Sequence, residues 1–143
     1  MHLSPLSAIG ALVAFLGGLL RLYCYRTLGA HFTYEISLRS HHKLVTNGPY
    51  GIVRHPSYSA LYVSFTGILL HHWARGSWVM ESEVWNYSVG KLAIISLIAM
   101  SVFGLEQITV RTAMEDKLMK SQFGEEWEAW AKAVPYAIIP GVY

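Results

Sequence analysis

Charge is scarce in this chain: 14% of its 143 residues are Asp, Glu, Lys or Arg, while 53% are hydrophobic. An ordinary soluble domain carries roughly a quarter charged residues, so a single domain this apolar reads as membrane-embedded. The net charge of +2 is small and the basic residues are scattered, which excludes nucleic acid as a partner. Cysteine is nearly absent. The one thiol, Cys24, cannot form an internal disulfide or a thiolate metal cluster, and inside an apolar run it reads as a small buried hydrophobe. No glycine-rich phosphate loop and no nucleophile elbow occur, so a soluble Rossmann-type cofactor fold is not expected. The adjacent histidines His41-His42 and His71-His72 do not chelate as pairs, because neighbours on a helix point in different directions. With no supporting Asp, Glu or Cys spacing, no metal site is expected.

What the chain has instead is long apolar runs. Residues 6–25 approach the roughly 20 residues needed to cross a bilayer. No Lys or Arg precedes this run, no small-residue cleavage site follows it, and Arg21 and Arg26 lie at its C-terminal side. It therefore reads as an uncleaved anchor with its N-terminus outside. Gly10, Gly17 and Gly18 would let a second helix approach, or simply reflect the higher glycine content of membrane helices. Residues 57–73 and 91–109 are shorter or flanked by charge, and read as a hairpin crossing together. Trp73, Trp78, Trp85 and Tyr87 around its loop suit an aromatic belt at one interface. Arg26, Arg39, Lys43 and Arg54 put the segment 26–57 on the cytosolic side by the positive-inside rule, and three crossings return residues 110–143 to that side.

The polar chemistry concentrates in the stretch His42–Tyr62. Asn47-Gly48-Pro49 is a turn signal. Pro56 suits the first turn of a helix, where its missing N–H costs nothing. Arg54 and His55 stand immediately before it, with Tyr50 and Tyr58 on either side. Past the third apolar run, Arg111 and Glu115 share a helix face at i, i+4, which by itself reads first as a surface salt bridge. Met114 and Leu118 form an apolar face, Gly124 reads as a helix stop, and Trp127, Trp130 and Val134 recur at helical spacing beyond it. An irregular tail follows from Val134 to Tyr143. The fold class is thus all-α: one domain over 1–143, an integral membrane bundle of about three transmembrane helices with a cytosolic amphipathic C-terminal helix.

The motifs H-x-L-V-T-x-G-P-Y from His42 to Tyr50, R-H-P-S-Y from Arg54 to Tyr58, R-x-x-x-E-D from Arg111 to Asp116, and F-G-E-E-W with a later V-P resemble the isoprenylcysteine carboxyl methyltransferase family of integral membrane enzymes. The similarity runs from about Leu28 to Pro140. It implies S-adenosyl-L-methionine as cofactor, the carboxylate of a prenylated C-terminal cysteine as substrate, and an endoplasmic reticulum membrane location with the site facing the cytosol. Carried over by motif, it implies cofactor contacts at His42, Lys43, Leu44, Val45, Tyr50, His55, Pro56, Ser57, Tyr58 and Glu115. Glu35, seven residues before His42, falls at a further polar cofactor contact where relatives carry an amide. Arg111 would hold the substrate carboxylate. Members of the family generally carry further spans ahead of these motifs, so the substrate cavity is expected either to lack a wall or to borrow one from a partner.

Three other readings remain open at this point. The same motifs fit a phospholipid or amine N-methyltransferase, and R-H-P-x-Y with the tail V-P-Y-x-I-I-P-G-V-Y resembles NADPH-dependent sterol-type reductases. A non-catalytic membrane scaffold would not need Arg54, His55, Arg111 and Glu115 to converge.

Overall fold

The computed structural model describes residues 3–29 and 44–142. Three expected cofactor contacts, Glu35, His42 and Lys43, lie outside the described residues. Among the described residues all regular structure is helical. The chain divides into two compact units, Met1–Gly18 with Leu61–Ile108, and Leu19–Ala60 with Thr109–Tyr143.

Helix α1, Pro5–Leu28, contains the first expected span. Helix α2, Pro56–Trp73, begins at the proline expected to start it. A single turn, α3 (Trp78–Glu81), and a 3-10 turn at Glu83–Asn86 fill the connection to α4, Ser88–Phe123. Ser77 caps α3 by accepting from the Met80 amide at 3.3 Å. Gly124 breaks the chain with φ of 52°, and α5 follows over Glu125–Ala133.

The third apolar run and the amphipathic segment after it form one unbroken helix of 36 residues, which ends at the expected stop, Gly124. Thr109 marks a change of polarity, but the residues that follow are largely Met, Glu, Lys and Leu, good helix formers that give the backbone no reason to stop. At about 1.5 Å per residue, α4 is far longer than the roughly 30 Å hydrocarbon core requires.

Among the described residues two helices, α1 and α4, are long and apolar enough to cross a membrane. Helix α2 has 18 residues, but its serines, threonine and two histidines dilute it. In the first unit those polar groups find carbonyl partners: Tyr62 donates to the Leu105 carbonyl on α4 at 3.0 Å, and Ser64 to the Ala14 carbonyl on α1 at 3.4 Å. Thr66 donates back to Tyr62 at 2.8 Å. This is how hydroxyls are accommodated where water is scarce, and it ties α2 to both neighbours. His71 is used in the same way, its Nδ1 lying 3.0 Å from the Ser7 hydroxyl. Gly10 and Gly67 face each other where α1 meets α2, whereas Gly18 has open space around it. Meanwhile Leu12, Phe15, Leu92, Ile95, Met100 and Phe103 expose apolar side chains, the surface expected of lipid-facing helices. Around the α2–α4 connection, Trp73 and Trp85 pack with ring centroids 5.8 Å apart, and Trp78 and Tyr87 are exposed.

The second unit has its own core of Cys24, Tyr50, Trp130 and Val134, with Leu44, Val45 and Trp127 packed against it. Cys24 is fully buried there, as its sequence context implies. This core positions the polar cluster described next.

Candidate active site

The turn before the cluster folds as its residues dictate. Gly48 has φ of 57°, a left-handed conformation that glycine adopts without strain. A Cβ there would sit 3.1 Å from the Tyr23 hydroxyl. Pro49 and Tyr50 continue into a 3-10 turn, Gly48–Gly51. Tyr50 is buried, and its carbonyl accepts from the Trp130 indole at 3.2 Å. Of the expected cofactor contacts, Tyr50 lies in the core of this unit, and Leu44 and Val45 are partly buried against it. Pro56 is buried at the head of α2, and Ser57 is half-buried beside it.

The remaining expected residues converge. Glu115 is the hub: its Oε1 accepts from the Tyr58 hydroxyl at 2.6 Å and from Arg111 Nε at 2.9 Å, while its Oε2 lies 3.4 Å from His55 Nδ1. The His55 and Tyr58 rings stack with centroids 5.9 Å apart. Helical spacing predicts the Arg111–Glu115 pair, but only the tertiary structure brings the first turn of α2 against it.

Asp116 was not singled out by sequence reasoning, although it ends the R-x-x-x-E-D motif. Its Oδ1 lies 2.8 Å from His55 Nε2, and its Oδ2 accepts from Arg54 Nη2 at 2.9 Å. The other edge of the Arg54 guanidinium donates to the carbonyls of Val134 at 3.0 Å and Pro135 at 2.6 Å. Trp127 stacks against this guanidinium at 6.0 Å. The tail that looked irregular in sequence is pinned here. The amides of Arg54 and His55 donate to Tyr136 and Ala137 at 2.9 and 2.8 Å, and Ser59 donates to Ile138 at 2.5 Å. No periodicity in the sequence signals such extended pairing; the only local clue is the pair of prolines that stops a helix there.

The electrostatics follow from the geometry. Burial pulls the His55 imidazole toward its neutral form, but hydrogen bonds and charge from Asp116 and Glu115 outweigh it and raise its pKa above the ordinary value. Burial would raise the Glu115 carboxyl, yet donors from His55, Tyr58 and Arg111 hold it below the usual carboxylate range. Asp116 is held low likewise, its burial outweighed by His55 and Arg54. Glu115 and Asp116 thus stay ionised and weakly basic, and the two carboxylates favour the protonated form of His55. Arg111 is the most exposed member, with 39% of its side chain open. Such a cluster can meet a cation at Glu115 and an anion at Arg111, and it is poorly equipped to remove a proton.

Comparison with known proteins bears on the family of the chain. The sequence pattern of the isoprenylcysteine carboxyl methyltransferase (ICMT) family matches residues 9–121, beginning earlier and ending sooner than the motifs alone indicate. Protein-S-isoprenylcysteine O-methyltransferase B of Arabidopsis thaliana is 33% identical over 135 residues, covering 93% of this chain and 59% of the relative. A probable protein-S-isoprenylcysteine O-methyltransferase of Oryza sativa subsp. indica is 27% identical, covering 90% of this chain and 58% of the relative. The chain thus spans a little under three fifths of the length of these relatives. Delta(14)-sterol reductase erg24 of Schizosaccharomyces pombe is 32% identical over 101 residues, which are 71% of this chain but 20% of the reductase. The family pattern covers most of the chain, and a relative one third identical is matched over 93% of it, so the chain belongs to the isoprenylcysteine carboxyl methyltransferase family.

Proposed function

We propose that this chain provides the methyl-donor site and the carboxylate-binding arginine of a protein-S-isoprenylcysteine O-methyltransferase, using S-adenosyl-L-methionine. The observation that carries this reading is the convergence of His55, Tyr58 and Arg111 on Glu115 within one unit. When bound, S-adenosyl-L-methionine supplies a methyl group on a cationic sulfur, which passes to a nucleophile and leaves a neutral thioether. The residues fit it: Glu115 is ionised beside a partly open surface, and a carboxylate is the side chain that meets an ammonium or sulfonium. Glu35, His42 and Lys43 would complete the donor site on the evidence of their motif, with Leu44, Val45, Tyr50, Pro56 and Ser57 forming its walls.

Arg111 would orient the substrate carboxylate, since a guanidinium presents two parallel donors to two oxygens. A C-terminal carboxyl has an ordinary pKa of about 3.3 to 3.7 and is already a nucleophile at neutral pH. No general base is required. That matches a cluster whose imidazole is committed to two carboxylates, and it favours carboxylate over amine as the methyl acceptor, because an amine must lose a proton during transfer. The protein's contribution is then placement and exclusion of water around opposite charges. The prenyl chain would lie among the apolar helices, entering from lipid.

The same reading places the protein in the endoplasmic reticulum membrane with three crossings by α1, α2 and α4 and the site toward the cytosol. Cysteines placed at Ser40 and Ser121 in a Cys24→Ser chain are expected to label together from the cytosolic side of intact microsomes with an impermeant maleimide. Labelling of only one would break the three-crossing arrangement.

The function itself is tested by which labelled cofactor the detergent-purified chain retains. S-adenosyl-L-methionine should be held and NADPH should wash through. Retention of NADPH alone would overturn the methyltransferase reading in favour of the reductase chemistry to which the similarity with the sterol reductase points.

A further inference from the structure

Asp116 is itself assigned to no ligand, yet it anchors the Arg54 and His55 side of the cluster. It accepts from Arg54 at 2.9 Å and from His55 at 2.8 Å. Arg54 in turn grips the Val134 and Pro135 carbonyls, and the following residues pair with the backbone of Arg54 and His55. The imidazole is therefore placed by Asp116 at one nitrogen and by the tail through its own backbone amide. Its other nitrogen reaches Glu115 Oε2 at 3.4 Å, long for a charge-assisted contact, for which about 2.7 to 2.9 Å is usual. Glu115 Oε1 already takes two donors at 2.6 and 2.9 Å. An ionised carboxylate offers about four lone-pair directions, so Oε2 is where Glu115 retains acceptor capacity.

We propose that Asp116, held by Arg54 and the segment 134–138, is a positioning residue that draws the His55 ring away from Glu115 and so keeps Glu115 Oε2 available to the cationic methyl donor. The part of this inference that concerns the donor rests on the function proposed above. Without the Asp116 charge, His55 would close on Glu115 and occupy that oxygen. Among the described residues, the groups facing His55 are these: Tyr58 stacks on it from α2, Glu115 and Asp116 meet it from α4, and the tail contributes backbone carbonyls. Arg54 and Arg111 act on it through the two carboxylates they bind.

The test uses the full chain in detergent with isotope-labelled histidine, the His55 resonance being assigned by its loss in His55→Gln. In the wild type His55 is expected to lose its proton above the ordinary histidine pKa of about 6.5. In Asp116→Asn the midpoint should fall, because one of the two charges that outweigh burial is gone. The affinity for S-adenosyl-L-methionine should fall about tenfold, the size of one charge-assisted contact. In a His55→Gln background the same substitution should cost less than about twofold further, since its route to Glu115 has been removed. Equal losses in both backgrounds, or an unchanged His55 midpoint, would overturn the proposal. So would an Asp116→Asn chain that fails to fold, which would make Asp116 part of the scaffold. If the wild type binds no S-adenosyl-L-methionine, the proposed function fails, while the His55 midpoint still decides whether Asp116 places the ring.

Discussion

Replacing Arg111 by Lys is expected to leave methyl-donor affinity within about threefold of wild type while turnover of N-acetyl-S-farnesylcysteine falls on the order of a hundredfold, the equivalent of two to three kcal/mol in the barrier. The charge is kept, so Glu115 retains a cation at the position from which Arg111 Nε now donates at 2.9 Å. What disappears is the planar fork. A lysine ammonium meets Glu115 or a substrate carboxylate as a point charge and cannot hold two oxygens in one plane while also bridging to Glu115. An amine methyltransferase would respond differently, because a fixed cation near the acceptor suffices there and no fork is used. Parallel assays with the farnesylcysteine and with phosphatidylethanolamine separate the two. Full carboxyl-methylating activity in the Lys variant, or wild-type activity on the amine alone, would remove Arg111 from the carboxylate-binding role.

Gly67→Leu should abolish accumulation of folded protein, and Gly67→Ala should lower the melting temperature, through a helix contact within the first unit. A Cβ at Gly67 would lie 2.2 Å from the Ala14 amide nitrogen and 2.6 Å from the Gly10 carbonyl oxygen, and one at Gly10 would lie 2.4 Å from the His71 amide nitrogen. The obstructing atoms are backbone, so no side chain can rotate away and α1 must separate from α2 within the first unit. Overpacking of this kind costs about 1 to 3 kcal/mol for a methyl group and more for a larger chain. The Ser64 to Ala14 and Ser7 to His71 contacts, at 3.4 and 3.0 Å, would be stretched at the same time. Gly18→Ala provides the control. Nothing lies within 4 Å of a Cβ there, so the change should be neutral or stabilise the helix by roughly 0.5 to 1 kcal/mol. Equal melting temperatures for Gly67→Ala and Gly18→Ala would show that the helices do not meet at these glycines.

These two predictions draw on different kinds of information. The helical pairing of Arg111 with Glu115, the turn at Gly48-Pro49, the start of α2 at Pro56 and the break at Gly124 were legible in the sequence, because each depends on dihedral preferences or spacing within a few residues. The glycines of α1 were not decided in that way. Composition allowed Gly10 and Gly18 the same role, and only the position of α2 distinguishes a glycine that a neighbouring backbone needs from one that faces open space.

Hydropathy determined that the chain is helical and membrane-directed, and motif spacing determined its family. The change of polarity at Thr109 carries no signal to the backbone, and α4 continues through it to Phe123. Tertiary structure alone decided that Asp116 joins the cluster, that His55 lies between two carboxylates, and that the tail from Val134 holds Arg54. Arg54 and Asp116 are 62 residues apart, and Arg54 and Val134 are 80 apart. A single sequence contains no periodicity linking such positions; the hydrogen bonds form because the fold buries an arginine and a histidine beside two carboxylates and leaves those charges little other means of satisfaction.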